Sequence, residues 1–225
     1  MRAAYLTLLL CATVLAQTKP DEPKKADEAE PNLLDPSTLT AKAPETFQVK
    51  FATTKGDFTV VVTRAWAPLG ADRFYNLVRA GFFTDAAFFR VLPGFMAQFG
   101  ISARPDVAAV WQQARIQDDP PMQSNTRGRI TFATAGANTR TTQLFINYGN
   151  NSRLDSGFVP FGEVTEGMEV VDQIYSGYLQ QPDQGEIQAQ GKAYLDANFP
   201  MLDRITAATI VTAPAAAKPT AADKQ

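Results

Sequence analysis

Two segments restrict this chain more than any other feature: FFRVLPGFMAQFG at 88–100 and GRITFATAGANTRTTQLFIN at 128–147. Both have strand character, being apolar and rich in aromatic and β-branched residues. Yet polar groups interrupt them at Arg90, Gln98 and Gln143. A guanidinium flanked by Phe88, Phe89, Val91 and Leu92 is costly to bury unless it is paired or faces a site. Alternation sorts the rest. In 143–146, Leu144 and Ile146 share one face and suit a core, while Gln143 and Phe145 share the other; Met96 and Gln98 pair in the same way. An outward face bearing Met, Phe, two Gln and an Arg is neither plain core nor plain surface. It has the make-up of an apolar groove with a few placed polar groups.

The remaining pattern is mostly β. Residues 47–53 and 58–63 flank Thr54-Lys55-Gly56-Asp57, a turn signal, and read as a hairpin. Helical spacing follows over 66–80: Pro68 suits the first turn, Ala71, Phe74, Leu77 and Val78 form a stripe, and Gly81 fits the position after the end. Strands are expected at 86–92 and 95–99, split by Pro93-Gly94, and again at 129–134, 143–147 and 158–164. The stretch 101–127 reads as a long irregular excursion, with Trp111, like Trp66, taken as a packing residue. A second short helix is expected over 166–175, one amphipathic helical piece over 186–202, and a closing strand at 204–211. Many short strands with only two main helices define a mainly β class and point to a closed antiparallel barrel rather than a sandwich.

Composition closes off several chemistries. The chain has no histidine and a single cysteine, Cys11, which excludes Ser-His-Asp and Cys-His catalysis. No glycine-rich phosphate loop is present, and no cofactor or metal is expected. A formal charge of −2 and a pI near 5.2 argue against a nucleic-acid surface. At the N-terminus, Arg2 precedes an apolar run ending in Val14-Leu15-Ala16, which reads as a secretory signal at 1–16 cut after Ala16. The run is short for a membrane span, and Leu10 directly before Cys11 is too large for a lipoprotein box. Cleavage removes Arg2 from the 21 basic residues, leaving 20 against 23 acidic ones, and removes the cysteine. A cysteine-free mature chain suits an oxidising compartment, so the expected location is exported, periplasmic or extracellular, with no membrane span. Residues 17–44, rich in Pro, Lys and acids, read as a disordered linker, and 212–225, rich in Ala, Pro and Lys, as a disordered tail.

Phe-x-Arg-Val-x-Pro-Gly-Phe-Met-x-Gln from Phe88, followed by Ala-x-Ala-Gly-x-Asn-Thr-x-x-x-Gln-x-Phe-Ile from Ala133, resembles the cyclophilin-type peptidyl-prolyl isomerases. The resemblance continues through Arg153-Leu154-Asp155 and FVPFGEVTEGMEVVDQI at 158–174, and covers roughly residues 46–175 in family order. It implies an eight-stranded barrel capped by two helices, with the site on the outer wall, as a domain at 45–211; the helical segment at 186–202 is an elaboration outside the family core. It implies catalysis of cis/trans rotation about X-Pro bonds in proline-containing polypeptides; a monomer is expected.

Residue by residue, the resemblance makes Arg90 the donor to the prolyl nitrogen. Phe95, Met96, Phe145 and Leu154 match the proline-ring pocket, with Phe158 in its wall. Gln98 matches the group that holds the substrate carbonyl, Ala133, Thr134 and Ala135 the groove beside the residue before proline, and Gln143 the remaining polar side. The residues alone leave other readings open: Arg90 as an ion-pair partner of Asp155 or Glu163, Phe95 and Met96 as core, and Gln98 and Gln143 as strand-edge caps. The chain departs from the family at Phe89 and Phe158, where many members carry His, at Arg153, which takes the place of a Trp, and at Thr134, which replaces an Asn. These departures keep a second function in view, a proline-peptide-binding chaperone with weak or no catalysis.

Overall fold

Alternation builds the first pair of strands. In β1 (Thr46–Thr53) and β2 (Gly56–Thr63), Phe47, Val49 and Phe51 point inward opposite Val62, Val60 and Phe58. The rings of Phe51 and Phe58 stack with centroids 4.8 Å apart. The expected turn closes the hairpin, with Thr53 Oγ1 accepting the Lys55 N–H at 3.1 Å. These coordinates are a computed structural model, which describes residues 32–211. The expected signal at 1–16, most of the expected linker and the tail at 212–225 lie outside the described residues.

Helix α1 (Pro68–Arg79) begins two residues later than the spacing predicts, because 64–66 forms a 3₁₀ turn and Pro68 occupies the first helical positions. Its stripe of Ala71, Phe74, Leu77 and Val78 is buried, and Gly81, at φ 69°, lets the chain turn off its end. The free N–H groups of Leu69 and Gly70 are taken by the Asp119 carboxylate at 2.9 Å each. That cap comes from about fifty residues away, so local spacing gives no hint of it.

Six more strands complete one antiparallel sheet: β3 (Arg90–Leu92), β4 (Met96–Phe99), β5 (Arg129–Phe132), β6 (Leu144–Asn147), β7 (Pro160–Glu166) and β8 (Ile205–Val211). Their order is β3-β4-β6-β5-β7-β2-β1-β8. The sheet curls around a core rich in phenylalanine, in which Phe51, Phe74, Phe83 and Phe99 meet at centroid distances of 5.8 to 6.2 Å. It does not close. Among the described residues the edges β3 and β8 share no ladder, and the seam is crossed just before β3, where the Ala87–Arg204 bridge lies among main-chain bonds joining 85–88 to 203–205. The expected closed barrel is therefore an open, curled one. Turns at Gly81 (φ 69°) and Asp85 (φ 62°) break the chain ahead of β3, so the expected strand at 86–92 is cut to three residues.

The expected irregular excursion at 101–127 contains a helix, α2 (Pro105–Trp111). Trp111 is buried as a packing residue, and its indole N–H donates to the Leu33 carbonyl at 2.8 Å. Leu33, Leu39 and Ala43 pack on the core, so the described part of the expected linker, 32–44, lies against the domain. The expected helix at 166–175 shortens to α3 (Met168–Asp172). The piece expected as one helix at 186–202 is two, α4 (Gln184–Gln190) and α5 (Lys192–Asn198), broken at Gly191 (φ 60°), where any Cβ would run into the Ala103 carbonyl. A second apolar cluster joins these helices to the sheet: Phe89 packs there with Ile101, Ala108, Ile187, Leu195 and Leu202.

Candidate active site

Strand register sets the first wall of a groove. Arg90 lies opposite Gln98, Gln98 opposite Phe145, and Phe145 opposite Thr131, so these four residues stand in one rank across β3, β4, β6 and β5. The adjacent rank, Val91, Ala97, Ile146 and Ile130, faces the core. The division of Leu144 and Ile146 inward from Gln143 and Phe145 outward is the one alternation requires, since the first pair belongs to the core and the second lines the groove. The groove encloses about 490 Å³.

All of the residues expected at the site line this one groove: Arg90, Phe95, Met96, Gln98, Ala133, Thr134, Ala135, Gln143, Phe145, Leu154 and Phe158. At its apolar end Phe145 and Phe158 meet edge to face with centroids 5.8 Å apart. The Arg153 guanidinium lies over the Phe95 ring at 4.9 Å, a flat cation covering that side of the pocket. At its polar end Thr134 shares a hydrogen bond of 2.8 Å with the Thr139 hydroxyl.

Arg90 is half-buried, and that burial holds its guanidinium below the ordinary arginine range. Its partners are neutral. Nη1 donates to Gln98 Oε1 at 3.1 Å and Nε to Gln180 Oε1 at 3.3 Å, while Gln98 Nε2 donates to Gln143 Oε1 at 2.8 Å. The carboxylates that might have paired with Arg90 are engaged elsewhere: Asp155 accepts from Ser124 and Asn125, and Glu163 pairs with Arg129 at 3.2 Å. A chain of amides thus fixes the cation without neutralising it. Gln98 and Gln143 are links in that chain rather than strand-edge caps.

Several contributors escape a reading of the sequence. Gln180 precedes α4 and reaches Arg90 because the Leu179 carbonyl accepts the Val91 N–H at 2.9 Å, docking this segment on the free edge of β3. The opposite wall is helical: Gln112 and Arg115 follow α2, and Gln184 and Gln188 lie on α4. Behind the pocket, three buried asparagines tie its loops together. Asn151 Nδ2 donates to the Phe95 carbonyl at 2.9 Å, Asn125 Nδ2 to the Phe158 carbonyl at 2.8 Å, and Asn147 Nδ2 to Asn125 Oδ1 at 3.3 Å. A buried amide network needs every member satisfied, and here it holds the walls that carry Phe95 and Phe158. Phe89 also finds its reason: it is 1% exposed in the apolar cluster beneath α4 and α5, where an imidazole would lack a partner.

Among the described residues no group of three metal-ligating side chains gathers. The groove offers guanidinium, amide and hydroxyl groups beside an aromatic pocket. Its chemistry is that of positioning and polarising a peptide group, with no side chain suited to act as a base or nucleophile.

The curled eight-stranded sheet and its groove define a cyclophilin-like fold. Two crystal structures of a cyclophilin type peptidyl-prolyl cis-trans isomerase from Cryptosporidium parvum have this fold. One aligns with TM-score 0.56 at 21% identity over 75% of this chain and 99% of that one. The other, obtained in the presence of the dipeptide Ala-Pro, aligns with TM-score 0.57 at 20% identity over 74% and 99%. The sequence model of the cyclophilin type peptidyl-prolyl cis-trans isomerases matches residues 48–191, and the chain belongs to that family. Among its relatives is the peptidyl-prolyl cis-trans isomerase of Acinetobacter baylyi, 32% identical over 143 residues, which are 60% of this chain and 76% of the relative. Another is peptidyl-prolyl cis-trans isomerase A of Dickeya dadantii, 33% identical over 149 residues, 61% and 78% of the two chains. The match extends through Gly191 and so takes in α4 and the Gln180 segment, beyond the core expected from the motifs.

Proposed function

We propose that this chain rotates X-Pro peptide bonds in polypeptides by stabilising the twisted imide through Arg90, without a covalent intermediate. The barrier is amide resonance, about 18–20 kcal/mol. Twisting breaks the conjugation and returns a lone pair to the prolyl nitrogen, and a fixed cation bonded to that nitrogen favours the twisted state over the planar one. Stabilisation by about 4 kcal/mol gives roughly a thousandfold in rate, which brings an exchange of about 10–100 s into the range of folding. The observation that carries this reading is Arg90, a half-buried guanidinium held by Gln98 and Gln180 in an aromatic groove with no carboxylate to quench it.

In this reading Phe95, Met96, Phe145, Leu154 and Phe158 grip the proline ring. Gln98 holds the substrate carbonyl, Gln143 supports it, and Ala133, Thr134 and Ala135 flank the residue before proline. The N-terminal signal pattern supports exported polypeptides as the substrates, met by a monomer in the periplasm or outside the cell. Among the described residues no helix is long and apolar enough to cross a membrane. The test is cis-to-trans conversion of a short Ala-Pro peptide by the mature domain and by Arg90→Ala, with circular dichroism to establish that both are folded. Fast turnover by the first and loss in the second is expected. A folded wild-type domain that binds the peptide without turning it over would replace the isomerase reading with that of a proline-peptide-binding chaperone.

A further inference from the structure

The groove carries a charge pattern unlike that of the chain as a whole. The protein is acidic overall, with 23 Asp and Glu against 21 Lys and Arg. Among the described residues the groove lining, by contrast, holds two guanidinium groups, Arg90 and Arg115, and no carboxylate. Arg90 is occupied by amides. Arg115 is exposed, and among the described residues its side chain has neither an acidic partner nor an internal hydrogen bond. The acids near it in sequence are engaged elsewhere: Asp106 with Arg104 at 2.6 Å, Asp118 with Arg140 at 3.2 Å, and Asp119 with Arg140 at 3.0 Å.

The fold also says which end of a bound peptide Arg115 meets. The antiparallel Ile116–Arg140 bridge sets Arg115 opposite Thr141, two residues before Gln143, whose carbonyl accepts the Ala133 N–H at 2.9 Å. Arg115 therefore lies at the end of the groove formed by Thr141, Gln143 and Ala133, which precedes Phe145 along the chain. Gln112, Gln184, Gln188 and Thr141 line the same groove, and each can donate a hydrogen bond. A lone guanidinium among amide and hydroxyl donors suits a carboxylate, which accepts through two oxygens.

Resting on the proposed isomerase reading, we infer that Arg115 and the amides around it form a subsite for an acidic side chain N-terminal to the X-Pro pair. Arg115 is then a specificity-determining residue, and Gln184 and Gln188 on α4 wall that subsite. Arg115 is exposed, so the preference is modest and falls with salt.

The test uses blocked peptides of one Ala-Pro sequence with Glu, Gln or Lys two residues before the proline. Both kcat/KM, from line-shape exchange, and affinity, from chemical-shift titration, are measured at low and high ionic strength. At low salt the Glu peptide should exceed the Gln peptide by about two- to fivefold, the size expected of an exposed ion pair, with the Lys peptide lowest. High salt or Arg115→Ala should level the series, and Arg115→Glu should reverse it. Equal values for all three peptides, or a preference that survives Arg115→Ala, would overturn the inference. The isomerase reading stands or falls separately, on turnover of the neutral Gln peptide and its loss in Arg90→Ala; the affinity series decides the subsite even where turnover is absent.

Discussion

The two walls of the groove are built by different physics. The sheet wall is a product of register: once β3, β4 and β6 pair, Arg90, Gln98 and Phe145 must stand in line. The helical wall is a product of packing. Gln184 and Gln188 face the groove because Ile187 and Leu195 are seated against Phe89 and Ile101 in a small apolar cluster, and because Gly191 breaks the helix where it passes Ala103. The contrast separates chemistry from selection. Groups aligned by backbone hydrogen bonds suit a reaction that needs a fixed cation, whereas side chains on a separately packed helix can vary without disturbing it.

This division is most strongly tested by removing the anchor of the helical wall. Phe89→Ala should cost about 3–5 kcal/mol of stability, as for other buried aromatics. In hydrogen exchange the amides of α4 and α5 should lose protection before those of β4 and β6; uniform loss would mean that the walls are one unit. Phe145→Ala strikes the sheet wall instead. It removes one ring of the edge-to-face pair with Phe158, and KM for an Ala-Pro peptide should rise about tenfold, in line with the loss of a buried aromatic contact.

Gln180→Ala cuts the single bond that crosses from the helical segment to Arg90. A loss of about 1 kcal/mol, roughly fivefold in kcat with KM held, is expected for one long, exposed hydrogen bond. Gln180→Glu should keep the contact but pair the cation with a carboxylate, so kcat should stay reduced.

The smallest effect is expected from pH. The chain has no histidine, and Arg90 and Arg115 are the titratable groups of the groove lining. Burial lowers the Arg90 pKa, so its charged form is lost only as pH rises; the rate should be flat from about pH 5.5 to about 8.5 and decline only on the alkaline side. An acid limb in kcat would show that a carboxylate takes part.

The contrast between walls also explains what could be read in advance. Period-two alternation exposed the sheet wall, because Gln143 and Phe145 on one side and Leu144 and Ile146 on the other admit a single sensible facing. The hairpin, α1 and the closing strand were legible for the same reason, as local patterns with clear turn signals. Three features were not. The Asp119 cap on α1 and the asparagine network behind Phe95 and Phe158 join residues far apart in the chain, and polar residues in loops carry no periodic signal. Gly191 splits one amphipathic pattern into two helices because of a close approach to Ala103, which only the fold reveals. The open seam between β3 and β8 follows from the turns at Gly81 and Asp85; aspartate tolerates the left-handed region better than most residues, but only the fold shows which aspartate adopts it.

The central claim is that Arg90 acts on the transition state rather than on binding. Saturation kinetics of Arg90→Ala on an Ala-Pro peptide, by exchange spectroscopy with an independent titration of affinity, separates the two. The account predicts a fall in kcat of about a hundred- to a thousandfold, with affinity changed by no more than about threefold. A variant that keeps kcat and loses affinity instead would contradict it, and would make Arg90 a substrate clamp.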